Sequence, residues 1–396
     1  MGGRIVWILN GCGLEGGSIT GGPARFHEIS HRWRGKGCEQ LLMTTSGGET
    51  MLRRMGCRLD MLCVPASLLL SRELFRPFRF WSYAVSSLLC RRAVGKAAEF
   101  LGDGGVVITT SDYFCDIIPA LLLKRIAGCR WIALSHHMET PPSRRPGNFL
   151  SNVVTWLMQR WSFRKIAHRA DEAWVCGTEA GDAIRARLVA LGMDGGRIRF
   201  FRNGVDTSAI GGSEKPKGKR YDAVMIGVRP NKGMADIVPI WRRVIAMRPG
   251  ATLLLMGGMS GIEPLVKEIG QNGLDGAISF LKTPGGLLPR DEYYAHVKSA
   301  NILMAPSHEE GWGIVLCEAM AAELPVVAYD LPAYRRIYGG DFLSVPRFDT
   351  AKFAEEIVRI LGDGELADSY RRRGLERARS YDWDAIAEED WRRLAT

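Results

Sequence analysis

Residues 301–330 read NILMAPSHEEGWGIVLCEAMAAELPVVAYD. This stretch begins with a short apolar run, passes through the polar loop SHEEG, continues over an apolar segment of helical length and ends in a second short apolar run. Short apolar runs on either side of a helix are typical of a βαβ unit with two parallel strands. The stretch therefore predicts strands near 301–304 and 325–328, with a helix near 312–322 between them.

The same alternation of short β-type runs and longer helical runs extends along the whole chain. It predicts two doubly wound α/β domains. The polar, Gly/Lys-rich segment 204–220 is the best candidate for the linker between them. The other predicted strands are 4–9, 39–45, 59–64, 105–110, 130–135, 172–176, 197–201, 221–227, 252–256 and 277–280. The other predicted helices are 22–34, 113–126, 178–190, 233–247, 261–271 and 350–361.

The composition is that of an ordinary globular protein large enough for two domains. Of the 396 residues, 46% are hydrophobic and 24% charged, which excludes a disordered or fibrous chain. The net charge of +10 is uneven, because residues 1–205 carry 28 Lys and Arg against 16 Asp and Glu, and the remainder carries 25 against 27. A basic first half suits nucleic acid, anionic lipid or an anionic substrate.

Cysteine usage and hydropathy favour a cytoplasmic protein. The nine cysteines are scattered without a CxxC pair, which argues against a disulfide framework and against a structural zinc site. The first residues, MGGRIVWILNGCG, are typical of a first strand and are too short for a signal peptide. No stretch reaches about 18 uncharged apolar residues, so we expect no membrane-spanning helix.

Two glutamates and two glycines suggest a ligand site in the stretch first quoted. Glu310 and Glu318 are eight residues apart, one before the helix and one within it. Carboxylates at these places can accept hydrogen bonds from two sets of sugar hydroxyls. Gly311 and Gly313 allow a close approach of backbone to ligand, and the free amides of the first helical turn suit a diphosphate. The alternative is that Glu310 caps the helix and Glu318 lies on a solvated face.

PSHEEGWGIVLCEAMA resembles the E-x7-E signature of family-4 glycosyltransferases, which have the GT-B fold. Further elements are similar to that family's in the same order along the chain. These are the glycine loop and first helix GGPARFHEISHRWRGKG (21–37), the histidine segment SHHM (135–138), RNGVD (202–206), the donor-phosphate segment IGVRPNKGMADIV (226–238) and the closing helix SYDWDAIAEEDW (380–391).

The resemblance implies a two-domain enzyme with two Rossmann-like domains facing a central cleft. Residues 1–205 would be a basic, acceptor-binding domain, and residues 206–380 a nucleotide-sugar-binding domain. Residues 381–396 would be a helix that crosses back to the first domain. The donor would be a nucleotide-diphosphate sugar, with UDP and GDP both open and mannose or another hexose as the sugar. The acceptor would be a glycan or a lipid-linked molecule. Transfer would retain the anomeric configuration without a bound metal or cofactor.

The resemblance also assigns roles to residues of the second half. Glu310 would bind the donor sugar's hydroxyls and Glu318 the ribose, while backbone amides near Gly311, Ile314 and Val315 would meet sugar, ribose or diphosphate. Lys232 would pair with the diphosphate. Arg229 would be its partner, although the loop is one residue short of the family pattern. The alternative is a solvent-facing arginine before a proline.

In the first half, the resemblance points to a glycine pair and a histidine. Gly21 and Gly22 precede a helix and would bring amides to the diphosphate or to the reacting bond, with 16–17 as a competing glycine pair. His136, with His137 as the alternate, would touch the donor sugar near its reacting carbon. Its role would be positioning and transition-state hydrogen bonding.

Acceptor choice would belong to the basic half. The stretches 71–92 and 144–169 mix Arg with Trp and Phe, as interfacial helices do, and anionic lipid would explain the mixture. The alternative is that the apolar residues face the core and the arginines form a solvated face. Asp112 and Tyr113 follow a predicted strand and are candidates for contact with the acceptor. We therefore expect a cytoplasmic enzyme with peripheral contact to an anionic membrane at its cytosolic face.

Three other interpretations compete with this one. Asp382, Trp383 and Asp384 form a DxD triplet typical of metal-dependent transferases, but a capping role at the last helix is preferred. The basic half alone suggests a nucleic-acid binder, although it has no recognised nucleic-acid motif. A sugar-nucleotide epimerase or a silent sugar-nucleotide binder of the same fold is the remaining alternative.

Overall fold

The structure is a computed structural model that describes residues 3–11, 21–64, 90–144, 149–214, 220–257, 261–281 and 288–395. The chain folds into two units. The first contains Met1–Arg202 together with Ala387–Thr396, and the second contains Asn203–Ile386. Each unit has its own parallel sheet and its own apolar core.

The sheet of the first unit has seven strands in the order β3-β2-β1-β4-β5-β6-β7, with every neighbouring pair parallel. The direction in which strands are added reverses between β1 and β4, so the crevice beside these two strands is the place where such sheets bind ligands. The strands are β1 Arg4–Leu9, β2 Glu39–Thr45, β3 Asp60–Val64, β4 Val106–Thr109, β5 Arg130–Ser135, β6 Glu172–Cys176 and β7 Ile198–Phe201.

The strands of this sheet are almost continuous apolar runs, as expected where both faces of a parallel sheet are buried. Val6, Val107 and Ala133 on three neighbouring strands are all fully buried in one core. The helices are α1 Gly21–Trp33, α2 Ser46–Arg54, α3 Arg91–Leu101, α4 Phe114–Ala127, α5 Phe149–Arg169 and α6 Glu179–Ala190.

The second unit repeats this topology with six strands in the order β10-β9-β8-β11-β12-β13, again all parallel. The reversal here lies between β8 and β11. The strands are β8 Tyr221–Ile226, β9 Leu253–Met256, β10 Ile278–Leu281, β11 Ala300–Ala305, β12 Val326–Tyr329 and β13 Leu343–Val345. The helices are α7 Thr207–Gly212, α8 Ile237–Met247, α9 Glu263–Gln271, α10 Arg290–Lys298, α11 Ile314–Ala321, α12 Pro332–Tyr338, α13 Thr350–Gly362 and α14 Gly364–Arg379.

The last helix, α15 Trp383–Ala395, starts in the second unit and ends in the first. Its part in the first unit packs on α1. The indole Nε1 of Trp33 donates to the carbonyl of Ala387 at 2.9 Å, and Arg25 forms an ion pair with Asp390 in which both side chains are almost fully buried. Among the described helices, none has a stretch of sufficient length and hydropathy to span a bilayer.

The prediction of an irregular linker over 204–220 is wrong for its first half. Residues 207–212 form helix α7, and the Asp206 carboxylate caps this helix by accepting from the amide of Ala209 at 2.8 Å. The sequence TSAIGG has no apolar periodicity and two glycines, so only the cap and tertiary packing stabilise this helix. Residues 215–219 lie outside the described part of the chain.

Candidate functional site

The predicted site residues of the second unit follow two neighbouring strands. Residues 227–236 follow β8 and residues 306–313 follow β11, and these two strands pair directly at the point where the strand order reverses. Since parallel strands end at the same edge of a sheet, both segments lie at the crevice where doubly wound sheets bind ligands. Two motifs separated by about 70 residues of sequence are thus neighbours in space.

Hydrogen bonds hold the two segments together. The carbonyl of Asn231 accepts from the amides of His308 at 2.9 Å and Glu309 at 3.4 Å. The ring of His308 bonds the Asp236 carboxylate at 2.8 Å. Gly233 has φ of +80°, and a Cβ there would lie 1.9 Å from the carbonyl oxygen of Pro306. Only glycine fits at this contact, which explains the glycine after Lys232.

Lys232 and Glu310 form an ion pair between the two segments, with about a tenth of each side chain exposed. The hydroxyl of Ser307 donates to the same Glu310 carboxylate at 3.1 Å. The cap of helix α11 is Gly313, and no side chain bonds its first amides. The alternative in which Glu310 caps this helix is therefore wrong, because the carboxylate is directed to the lysine and the serine.

The side chains of Arg229 and Lys232 both lie close to Gly227. A Cβ on Gly227 would be 3.7 Å from Cγ of Lys232 and 4.0 Å from a guanidinium nitrogen of Arg229. Gly227 has φ of +87°, so its backbone adopts the left-handed conformation that favours glycine. Arg229 is half-buried and, within the described part of the chain, has no carboxylate partner. The structure thus gathers two cations around the half-buried peptide of Gly227.

Glu318 lies in α11, and its carboxylate accepts hydrogen bonds from two tyrosines of α10. The hydroxyl of Tyr293 lies 2.8 Å from Oε2, and that of Tyr294 lies 3.5 Å from Oε1. Burial raises the pKa of Glu318 to about 7, although the tyrosine hydroxyls act in the opposite direction. The alternative in which Glu318 points to a solvated face is wrong.

Of the two glycines before α11, Gly313 is required by the local structure, whereas the position of Gly311 has room for a larger side chain. Gly313 has φ of +79°, and a Cβ there would lie 2.3 Å from the ring of Tyr334. Nothing lies within 4 Å of a Cβ placed on Gly311. Ile314 and Val315 are the first residues of the helix and are half-exposed, so their amides belong to the free donors of the first turn.

In the first unit, the structure brings Gly22 and His136 together. Gly22 is the second residue of α1, after Gly21, and a Cβ there would lie 3.4 Å from Nε2 of His136. That nitrogen is 3.0 Å from the carbonyl oxygen of Thr110. Because a carbonyl only accepts, Nε2 carries the proton. Burial and the neighbouring Arg25 charge lower the pKa of His136 to about 4, so the ring is neutral at physiological pH.

His137 belongs to a different group of side chains. It is exposed, and its Nε2 lies 3.2 Å from the buried carboxylate of Glu139. Gln159 of α5 donates to Asp112 and to the carbonyl of His137, both at 2.9 Å. Burial raises the pKa of Asp112 to about 6. The histidine next to the glycines of α1 is therefore His136.

The other predicted features fall in three groups. The glycines at 16 and 17 and residues 71–89 lie outside the described part of the chain. Asp382 accepts from the amide of Asp384 at 2.8 Å and from that of Thr207 at 3.2 Å, which confirms its capping role. Among the described residues, no group of three His, Cys, Asp or Glu side chains is arranged to hold a metal.

Helix α5, within the amphiphilic stretch 144–169, has an exposed apolar face. Phe149 and Leu150 are each more than 60% exposed, and Leu157, two turns further on, is 53% exposed. The exposed arginines Arg160 and Arg164 continue this side of the helix. Partial desolvation lowers the pKa of Arg160, and the charges of Arg187 on α6 and of Arg164 act in the same direction.

Sequence reasoning missed the side chains that hold the two glutamates. Ser307 is part of the SHEEG loop and was a visible signal beside Glu310. Tyr293 and Tyr294 precede Glu318 by 25 and 24 residues in the chain. No spacing rule connects the two tyrosines to Glu318, and only the folded structure reveals the contact.

The sequence comparisons find relatives of the second unit. Residues 220–363 match the family described as "Glycosyl transferases group 1". The phosphatidyl-myo-inositol mannosyltransferase of Mycobacterium leprae is 32% identical over 221 residues, which cover 52% of this chain and 55% of that protein. A glycogen synthase of Mycobacterium tuberculosis is 25% identical over 277 residues, 68% of this chain and 64% of that protein. The chain spans about half the length of the mannosyltransferases it matches.

Solved structures with the same fold cover nearly all of the chain. Anabaena Alr3699/HepE, solved with UDP and glucose, has a TM-score of 0.73 at 14% identity over 99% of both chains. A sucrose-phosphate synthase from Thermosynechococcus elongatus has a TM-score of 0.74 at 17% identity, also over 99% of both. The fold is therefore GT-B, which confirms the fold expected from the sequence resemblance.

Proposed function

We propose that this protein is a retaining, metal-independent glycosyltransferase that moves a hexose from a nucleotide-diphosphate sugar to a lipid-linked or glycan acceptor. One observation carries the proposal: two cations, Arg229 and Lys232, and two carboxylates, Glu310 and Glu318, converge at the ends of β8 and β11. A nucleotide-diphosphate sugar needs both kinds of group, because its phosphates are anionic and its sugar and ribose offer neutral hydroxyls.

The roles follow from the chemistry of each group. Lys232 and Arg229 bind the diphosphate with the amides near Gly311, Ile314 and Val315. Glu310 accepts hydrogen bonds from the transferred sugar, and Glu318 from the ribose. In the structure Lys232 and Glu310 neutralise each other. Binding of the donor exchanges this contact for lysine–phosphate and glutamate–hydroxyl contacts, so neither charge is left unpaired.

His136 serves as a hydrogen-bonding group near the reacting carbon. Its neutral ring and its Nε2–H bond to Thr110 leave Nδ1 as an acceptor for a substrate hydroxyl. Gly21 and Gly22 allow the first amides of α1 to approach the same region. In a front-face reaction the leaving diphosphate oxygen takes the proton of the acceptor hydroxyl. Positioning and charge stabilisation then suffice, and no protein nucleophile is needed.

The acceptor is proposed to be lipid-linked and the site of action the cytosolic face of a membrane. The relatives named as phosphatidyl-myo-inositol mannosyltransferases support a lipid acceptor and mannose as the sugar. The exposed apolar and cationic side of α5 supports contact with anionic lipid. The eight described cysteines are all free, as is usual in a reducing compartment.

A nucleotide screen without added metal tests the donor site. We expect UDP or GDP, and the matching sugar conjugates, to raise the melting temperature by mass action, with the chelator EDTA having no effect. Without an acceptor, slow hydrolysis of the matching conjugate should release the free nucleotide and the free sugar. If NMR identifies the released sugar as α-configured, the reaction retains the anomeric configuration. Interconversion of the donor without an acceptor would indicate an epimerase. Binding of arbitrary DNA in place of nucleotides would overturn the proposal.

Vesicle sedimentation tests the membrane contact. Vesicles containing phosphatidylglycerol should bind the protein, and phosphatidylcholine vesicles should bind it more weakly, with the difference shrinking at high salt. The double variant Phe149→Ser, Leu157→Ser should release the protein from both. The matched control is Met247→Ser, an exposed apolar side chain of the second unit. Equal binding of the double variant and the wild type would contradict this contact.

A further inference from the structure

One side of helix α10 consists of polar groups that all face carboxylates. Arg290, Tyr293 and Tyr294 are spaced i, i+3 and i+4, so their side chains lie on the same side of the helix. The two tyrosines bond Glu318. Arg290 lies 3.1 Å from the Asp206 carboxylate, and Asp206 in turn caps α7. Helix α10 is thus held by three side-chain contacts, two of which are to Glu318, the carboxylate assigned to the ribose.

The tyrosine bonds leave the Glu318 carboxylate with free acceptor capacity on both oxygens. A carboxylate has two oxygens with about four acceptor positions in total. Tyr293 takes one position on Oε2, and Tyr294 approaches one on Oε1. One position remains on each oxygen, which is the number required by the two neighbouring hydroxyls of a ribose. The tyrosines therefore hold the Glu318 carboxylate and still leave acceptor positions for the ribose hydroxyls.

The two tyrosine hydrogen bonds also favour the charged form of Glu318. A hydroxyl donates to a carboxylate, and removing the donor makes protonation easier. Burial alone would keep much of Glu318 protonated at neutral pH, and a protonated acid offers fewer acceptor positions to a sugar. Burial and the Glu318 charge raise the pKa of Tyr293 well above its ordinary value, so its hydroxyl keeps its proton throughout the neutral range.

We propose that Tyr293, assisted by Tyr294, is a positioning residue of the donor site that holds the Glu318 carboxylate deprotonated and oriented for the ribose hydroxyls. This inference rests on the proposed function, in which Glu318 binds the ribose. Tyr293 acts through Glu318 and takes no part in the transfer itself. Its contribution to donor affinity depends on the protonation of one glutamate.

Other charged groups around Glu318 are unchanged by a Tyr293 variant. Arg290 from α10 and Lys232 from the segment after β8 both favour the Glu318 anion. Cys317 precedes Glu318 in α11, and burial raises the pKa of its thiol well above the ordinary value. Arg377 of α14 and Asp382 act on Cys317 with opposite signs. None of these groups depends on the Tyr293 hydroxyl for its position.

The test is a titration of UDP and of GDP into wild type and Tyr293→Phe at pH 6.5, 7.5 and 9. We expect the variant to bind the preferred nucleotide about five- to tenfold more weakly at pH 6.5, the loss produced by removing one hydrogen bond to a carboxylate. At pH 9 Glu318 is charged in both proteins, so the affinities should agree within about twofold. Tyr294→Phe, with the longer contact, should show a smaller loss of the same pH dependence.

A Glu318→Gln background makes the test specific. In this background the pH dependence should disappear, and adding Tyr293→Phe should cause no further loss. Tyr370→Phe is the matched control, since this half-buried tyrosine of the same unit packs beside Arg373. If Glu318→Gln binds nucleotide as tightly as wild type at every pH, the ribose assignment of the proposed function is wrong. If it binds weakly but Tyr293→Phe loses affinity equally at every pH, the proposed function stands and the role of Tyr293 is overturned.

Discussion

The ammonium group of Lys232 and the carboxylate of Glu310 form an ion pair although 78 residues of sequence separate them. Each residue was assigned to a different part of the same donor molecule on sequence grounds. Their contact shows that both groups reach a common point, close to the loop peptide of Gly227. The pair also keeps two nearly buried charges compensated.

Glu310→Ala should abolish transfer while the fold stays intact. The substitution removes the acceptor for the sugar hydroxyls and leaves Lys232 without its counter-charge. We expect turnover to fall by at least about 100-fold, which corresponds to about 2.7 kcal/mol of transition-state stabilisation. Nucleotide release measures the change, and circular dichroism checks the fold. Glu309→Ala is the matched control, because this neighbouring side chain is exposed. Turnover of Glu310→Ala near that of the control would contradict the site.

Glu318→Ala should act mainly on donor binding. Among the described residues, the carboxylate contacts no charged side chain directly, and its two bonds are to the hydroxyls of Tyr293 and Tyr294. We expect KM for the donor to rise about tenfold or more, with a much smaller change in kcat, because the ribose is remote from the reacting carbon. Steady-state kinetics with varied donor separate the two constants. A fall in kcat with an unchanged KM would place Glu318 at the reacting sugar instead.

The sequence predicted strands β1 to β12 because the apolar runs of buried parallel strands are short, uninterrupted and bounded by glycine or polar residues. It did not predict helices α2, α3, α10, α12 and α14. Strand β13 was not predicted. It has only three residues, and its middle residue, Ser344, is exposed, so no apolar run marks it. Helix α7 was missed because TSAIGG contains no periodic pattern. In both cases the neighbouring elements supply the stabilisation that the local sequence lacks.

Part of the candidate site followed from motif spacing, and part did not. The pairing of β8 with β11 explains why the segments containing Lys232 and Glu310 meet, and the α/β alternation already implied a crevice there. The partners of Glu318 could not be predicted, because Tyr293 and Tyr294 lie on a helix whose register against α11 depends on packing. The choice between His136 and His137 likewise required the position of Gly22.

Gly313→Ala should destabilise the second unit, whereas Gly311→Ala should not. At Gly313 the backbone is left-handed, and the new methyl group would overlap the buried ring of Tyr334 at 2.3 Å. We expect a loss of at least about 2 kcal/mol from the conformation and the overlap together. Thermal unfolding measures this loss. Gly311→Ala, with open space around the methyl group, should melt within about 1 °C of wild type. Similar melting of both variants would contradict the described start of α11.

Asp116→Asn should change how the stability of the first unit depends on pH. Asp116 is fully buried, and its carboxylate accepts from the amide of Asn10 and the hydroxyl of Ser111. Burial raises its pKa from 3.8 to about 7. The folded state therefore binds the proton more tightly than the unfolded state. This group's contribution to stability is complete below the ordinary value and is lost as pH rises to about 7, by about 4 kcal/mol at most.

The asparagine side chain at position 116 does not titrate, so the comparison with wild type isolates the contribution of Asp116. Between pH 4.5 and pH 7.5 the melting temperature of Asp116→Asn should rise by several degrees relative to wild type. The control is Asp103→Asn, at an exposed aspartate of the same unit, which should follow wild type at both pH values. A constant gap between Asp116→Asn and wild type would mean that Asp116 is charged in the folded protein at both pH values.

Asp390→Ala should destabilise the first unit strongly, because it leaves Arg25 buried without its counter-charge. Both side chains are at most 3% exposed, Arg25 also donates to the carbonyl of Arg202, and its guanidinium lies 4.5 Å from the ring centre of Phe201. Removing one partner of a buried pair costs about 3–5 kcal/mol, which lowers the melting temperature of a unit of this size by about 10 °C. Glu388→Ala, which breaks the solvent-screened pair with Lys36, should leave the melting temperature close to that of wild type. The double variant Arg25→Met, Asp390→Leu should recover most of the loss, since it removes both charges and keeps the contact between α1 and α15 apolar. If the double variant melts as low as Asp390→Ala, the ion pair itself, and not the avoidance of an unpaired charge, holds the last helix on α1.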